Sequence, residues 1–168
     1  FPKSLDTLFG AGELVVRRVA EITDGKFQIR LFASGEIVPG LQVLDAVQNG
    51  TVESGHTAAY YYIGKDPAFA FATALPFGLN ARQQNAWMYY GGGMQAMAGL
   101  FKEYGCVQFP GGNTGVQMGG WYRKEIKTTA DLKGLKMRIG GLGGQVLAKL
   151  GVVAQQIAGS EVYQALER

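Results

Sequence analysis

The chain has 168 residues, of which 47% are hydrophobic and 17% charged, with a formal net charge of +3. That is globular composition and about one domain's worth of length, neither disordered nor fibrous. No Lys/Arg block is long enough for the electrostatic footprint of a nucleic-acid binder, and no apolar run approaches the ~18 residues of a membrane span.

In chain order, residues 5–23 predict a helix. Leu14, Val15, Val19 and Ile22 recur at helical spacing, opposite Glu13, Arg17, Arg18 and Glu21, and Gly25 follows as a C-terminal cap. Residues 26–32 alternate, with Phe27, Ile29 and Leu31 on one side, and predict a half-buried strand. Residues 41–48 predict a second helix closed by Asn49-Gly50. Residues 52–63 predict a strand running into Tyr60-Tyr61-Tyr62, while residues 69–76 are apolar and ambiguous. Helices are expected over 81–90 and 94–104, separated by Gly91-Gly92-Gly93. Residues 106–122 predict two strands joined at Pro110-Gly111-Gly112. A short helical turn at 129–132, a strand at 136–139, a helix including 146–150, a strand at 152–157 and a helix from Ser160 complete the chain. This alternation predicts α/β layering with a largely parallel sheet. The composition shift at 110–120 is the best candidate for a domain crossing.

Most chemical motifs are absent. Gly64-Lys65 is followed by Asp66, so there is no Walker A loop. Gly141-Leu142-Gly143-Gly144 has the wrong spacing for a dinucleotide fingerprint. His56 is the only histidine, which rules out a multi-histidine metal site or triad within these residues and reads as structural. Cys106 is the only cysteine and reads as a small buried hydrophobe; Trp87 reads as core. The sequence starts at Phe1-Pro2-Lys3 without a charged and apolar export signal. It is either cytosolic or begins after such a signal, and the helix from Ser160 has no cap or turn before Arg168, as if cut.

Several groups suit the holding of an anion. Arg138 ends a strand, and Gly140 to Gly144 lead into a helix. A helix start presents free N–H groups and partial positive charge, and a guanidinium there can fork onto a carboxylate. The alternative is a surface arginine before a tight turn. Asn113 and Gln117 carry amide oxygens suited to a hydroxyl, a keto group or a hard cation; on a strand they would share a face with Gly115 and Gly119. The alternative is turn or surface amides. Tyr60 and Tyr61 suit a small polar ligand in an apolar cleft, or else belong to core or surface.

Through these residues the chain resembles the DctP-type periplasmic binding proteins of TRAP transporters, and within them the alpha-keto-acid and lactate binding group. The match runs collinearly through Leu31-Phe32-Ala33-Ser34-Gly35-Glu36, Leu75-Pro76-Phe77-Gly78, Gly91-Gly92-Gly93, Asn113-Thr114-Gly115-Val116-Gln117-Met118-Gly119-Gly120-Trp121, and Leu132-Lys133-Gly134-Leu135-Lys136-Met137-Arg138. The resemblance implies a type II-like periplasmic binding protein fold of two α/β lobes around a hinged cleft. It implies that residues 1–112 form most of lobe I, 113–120 a hinge-crossing strand and 121–168 the start of lobe II. It implies capture of a small monocarboxylate, a 2-oxo acid such as pyruvate, or lactate, in the periplasm, without chemistry, for delivery to TRAP membrane permease subunits. Arg138 would pair with the ligand carboxylate, and Gln117 would touch ligand and a bound Na+ or Ca2+. Asn113, Tyr60 and Tyr61 would line the pocket. No organic cofactor is implied.

Family chains are about twice this long. The Glu-Trp pair that completes the metal site, the rest of both lobes and a helix used by some members for homodimerisation are expected outside these residues. Two other classes compete. An enzyme acting on a small 2-oxo or 2-hydroxy acid would need a general acid or base beside Arg138 and Gln117, and neither run carries one. A binding protein of an ATP-driven importer would share the architecture, and fold alone does not separate it.

Overall fold

In the computed structural model, which describes residues 1–167, the chain divides into two compact units that interleave along the sequence. The first gathers Phe1–Thr57, Pro110–Asn113 and the residues from Ala158 onward; the second gathers Ala58–Phe109 and Thr114–Ile157. The units therefore group residues differently from the expected lobes: 58–109 go with 114–157, because the tyrosine turn at 59–62 packs on the helix that begins at Gly141.

In the first unit, α1 (Asp6–Ile22) follows from the amphipathic spacing and buries Phe9. It ends where Thr23 Oγ1 donates to the Val19 carbonyl at 2.7 Å and the Gly25 N–H to the Ala20 carbonyl at 2.8 Å. Gly25 takes φ +73°, a left-handed conformation that glycine adopts at little cost. Leu31 packs against α1 at Gly12, where an added Cβ would come within 3.3 Å of it. Residues 26–32 nevertheless join no ladder among the described residues. Arg30 instead places its guanidinium 4.7 Å over the Phe32 ring. Residues 40–42 form a 3-10 turn leading into α2 (Val43–Gln48), which buries Leu44 and Ala46. A second 3-10 turn, Gly159–Glu161, precedes α6 (Val162–Glu167). The expected last residue of that helix, Arg168, lies outside the described residues.

The second unit has its core at Phe69, which is fully buried. Phe69 lies in the 3-10 helix Pro67–Ala72, whose start is capped by Asp66 accepting from the Ala68 N–H at 2.7 Å. Its ring meets Tyr62, Phe101 and Tyr104 with centroids 5.0–5.8 Å apart. Phe69→Ala is therefore expected to cost about 3–5 kcal/mol of stability, the range for deleting a buried aromatic, measurable as a lowered urea midpoint with an unchanged slope.

Helix α3 (Ala81–Tyr90) starts with a reciprocal capping box between Asn80 and Gln83. Helix α4 (Gly93–Glu103) follows the glycine run, with Gly92 at φ +84°. A Cβ on Gly93 would run into the Trp87 ring and Met88 Cα, so glycine permits the close approach of the two helices.

Strands β1 (Lys136–Arg138) and β2 (Val153–Gln155) pair in parallel in the register Lys136↔Val153, Met137↔Ala154, Arg138↔Gln155. Helix α5 (Gly141–Lys149) forms the crossover that a parallel pair requires. This is the parallel α/β layering expected from the sequence.

Four expected strands, in three segments, are corrected. Residues 26–32, 52–63 and 106–122 carry no strand among the described residues, and 59–62 is a 3-10 turn. A period of two reports which side chains face inward; a strand also needs a neighbour to take its backbone hydrogen bonds. In 106–122 the glycines also interrupt extended backbone, Gly112 at φ +145° and Gly115 at φ +71°. The shared face imagined for Asn113 and Gln117 requires a pleat that is not there.

Candidate functional site

Arg138 sits at the C-terminal end of β1, half-buried, one residue before the backbone turns into the glycine run. Its Nε donates to the Ile157 carbonyl at 3.0 Å. That bond orients the guanidinium, which also hydrogen-bonds the Tyr60 hydroxyl, and the five N–H donors of an arginine leave further ones for an anion. No carboxylate of the described residues lies in ion-pair range of it.

Beside it, α5 begins at Gly141 (φ +66°), with Gly140 as the N-cap residue and no side-chain cap of its own. The first N–H of the helix is instead taken by Gln156, whose Oε1 accepts from Gly141 at 3.2 Å while its Nε2 donates to the Tyr61 carbonyl at 2.8 Å. A Cβ on Gly141 would touch the Tyr60 ring at 3.3 Å, so this glycine seats the helix start against the tyrosine turn.

Tyr60 and Tyr61 stack edge to face with centroids 4.7 Å apart. Burial, reinforced by the Tyr61 side chain, pushes the Tyr60 hydroxyl up to about 12, against the opposing pull of the Arg138 charge. Tyr60 is thus held neutral, a hydrogen-bonding group and a poor base at physiological pH.

The structure brings Tyr60, Tyr61 and Arg138 together with the start of α5. Gln117 lies in an exposed stretch, its Nε2 donating to Thr114 Oγ1 at 2.9 Å. Asn113 is exposed and belongs to the first unit. No group of three or more His, Cys, Asp or Glu suited to a metal occurs among the described residues, and no described helix is long and apolar enough to cross a membrane. Sequence reasoning missed Gln156. Nothing in the local pattern Val153-Ala154-Gln155-Gln156-Ile157 marks the second glutamine, because its partners come from residues 61 and 141.

A strand ending in an arginine, followed by a glycine-started helix, is an arrangement for gripping a small anion at the C-terminal edge of a parallel pair. The model of the family "Bacterial extracellular solute-binding protein, family 7" (DctP) matches residues 1–168. The chain belongs to this family. A DctP relative from Nostoc sp., named a monocarboxylate 2-oxoacid-binding periplasmic protein, is 62% identical over the whole of the present chain, which covers 46% of the relative. A TRAP transporter solute-binding protein of Bordetella bronchiseptica, a dimer crystallised with calcium and picolinate in one site, is 60% identical with a TM-score of 0.97; the match covers 99% of this chain and 50% of that one. One from Pseudoalteromonas atlantica, with bound sodium and pyruvate, is 50% identical with a TM-score of 0.91, over 96% and 49%. The DctP chain described here thus spans about half the length of the relatives it matches and carries about half of the TRAP periplasmic binding protein fold.

Proposed function

We propose that this DctP chain is part of the extracytoplasmic solute-binding subunit of a TRAP transporter, which captures a small monocarboxylate for delivery to membrane permease subunits. The observation that carries the reading is Arg138: half-buried, oriented by the Ile157 carbonyl, beside a helix start and without a carboxylate counterion among the described residues. A fixed guanidinium in that setting selects for a planar anion. The relatives named or crystallised with a 2-oxoacid, pyruvate or picolinate support a 2-oxo acid or a close analogue as the ligand. Tyr60 and Tyr61 line the carboxylate side, Asn113 is a further pocket residue of this reading, and export to the periplasm follows from the same reading. The hinge segment of this reading, 113–120, begins at one of the four points where the chain passes between the units. The enzyme alternative loses its ground, because the family is one of solute-binding proteins.

A cation belongs to this reading. Pyruvate and picolinate each set a second donor atom beside the carboxylate and chelate a hard cation in a five-membered ring. Gln117 fits as one ligand: its amide nitrogen donates to Thr114, and its amide oxygen is a hard donor on an exposed side chain. The remaining ligands lie outside the described residues. Calorimetric titration of the full-length protein with pyruvate tests both parts. Removing sodium and calcium is expected to weaken wild-type binding, and Gln117→Ala to weaken it about tenfold, the worth of one such interaction, while flattening the cation dependence. Wild-type binding that is indifferent to chelator and to sodium-free buffer would remove the cation from the site.

A further inference from the structure

We propose that Gln156 is a positioning residue of the carboxylate site, holding the start of α5 and the tyrosine turn in register for the ligand. The inference rests on the monocarboxylate reading above and adds a residue to it. Gln156 follows β2 directly, one position beyond the Arg138↔Gln155 pair that ends the parallel ladder. Its single side-chain amide spans two elements, the tyrosine turn and the start of α5. Oε1 takes the Gly141 N–H at 3.2 Å and Nε2 gives to the Tyr61 carbonyl at 2.8 Å. One partner is a donor and the other an acceptor, so only a group carrying both functions at this length satisfies them. A Cβ on Gly140 would come within 2.7 Å of Oε1, so the glycine at the helix cap also keeps space for this amide.

The arrangement has an electrostatic consequence. Helices are commonly capped by Asp, Ser, Thr or Asn on the preceding residue; α5 has glycine there and is capped from another strand by a neutral amide. The partial positive charge of the helix start is therefore not cancelled by a carboxylate of the protein and stays available to an anion held by Arg138. The titratable groups on the elements the amide joins are Tyr60 and Tyr61, and Arg138 on β1 lies beside Tyr60. The first turn of α5 contributes only glycines and Leu142.

The test compares wild type, Gln156→Ala and Gln156→Glu in the full-length protein, titrated calorimetrically with pyruvate at pH 7.5 and pH 5, with melting of each ligand-free variant. Gln156→Ala is expected to lose about tenfold or more in affinity, in line with two lost hydrogen bonds, while the ligand-free protein still melts cooperatively. Gln156→Glu at pH 7.5 places a negative charge at the helix start and has no donor for Tyr61, so a larger loss is expected. Approaching pH 5 the new carboxyl takes up protons and regains one donor and one acceptor. Its affinity relative to wild type at the same pH should then recover at least several-fold, which a merely structural substitution would not do. Wild-type affinity in both variants, or a loss in Gln156→Glu that is equal at the two pH values while the protein stays folded, would overturn the assignment. If wild type itself fails to bind pyruvate or any small monocarboxylate, it is the carboxylate reading that falls, a result distinct from insensitivity to Gln156.

Discussion

Arg138→Ala is expected to reduce the affinity of the full-length protein for pyruvate by at least about a hundredfold. The arithmetic is that of two charge-assisted hydrogen bonds at roughly 1.5–3 kcal/mol each, with about 1.4 kcal/mol per tenfold in affinity. Arg138→Lys separates charge from geometry. Lysine keeps the positive charge but cannot donate to the Ile157 carbonyl and present two parallel N–H groups at once, so a loss of about tenfold or more is expected even there. Melting of the ligand-free variants should change far less than binding, because the arginine makes no ion pair with a described residue. Isothermal calorimetry with pyruvate checks both substitutions. Unaltered affinity in Arg138→Ala would mean that the carboxylate is held elsewhere.

The second large effect concerns the 168-residue chain by itself. Alone, it is expected to self-associate and to bind pyruvate at least about a hundredfold more weakly than the full-length protein, the worth of two or more charged hydrogen bonds not made. The chain covers about half of its relatives, and its surface is correspondingly apolar in places. Val107, Phe109, Val116 and Trp121 are 77–91% exposed, a concentration of large apolar groups that a monomeric domain rarely leaves uncovered. A sequence reading would place the exposed apolar surface around Val152, Val153, Ile157, Val162 and Leu166. The structure corrects this in part: Val152 is buried, Ile157 and Val162 are half-covered, and only Val153 and Leu166 stand out. Light scattering and pyruvate titration of the purified chain decide the matter. A monodisperse chain with tight, saturable binding would show that the site is complete within these residues.

Much of the local structure was legible in order. The 3.6-residue spacing around Leu14 and Val19 marks α1, the glycine run at 91–93 separates α3 from α4, and the strand–glycine–helix pattern after Leu135 foretells β1 and α5. Each rests on neighbours in sequence, where the physics of spacing and capping is complete. Ladders were not legible. Residues 26–32 have the alternation of a strand but no partner among the described residues, and alternation is blind to partners. The 3-10 turn at 59–62 and the burial of Phe69 were likewise hidden, because aromatic residues at these positions suit a strand as well as a packed turn.

The sequence by itself determined the family, through the run from Asn113 to Trp121, and the chemical type of the anchor, a guanidinium before a glycine-started helix. Only the tertiary structure decided how that anchor is held. The Arg138 Nε is fixed by a carbonyl 19 residues away and the start of α5 by Gln156, whose other partner is 95 residues away. Hydrogen bonds between such distant residues leave no spacing to read, since they exist only once the chain has folded the Gln156 amide to within about 3 Å of the Gly141 N–H and the Tyr61 carbonyl.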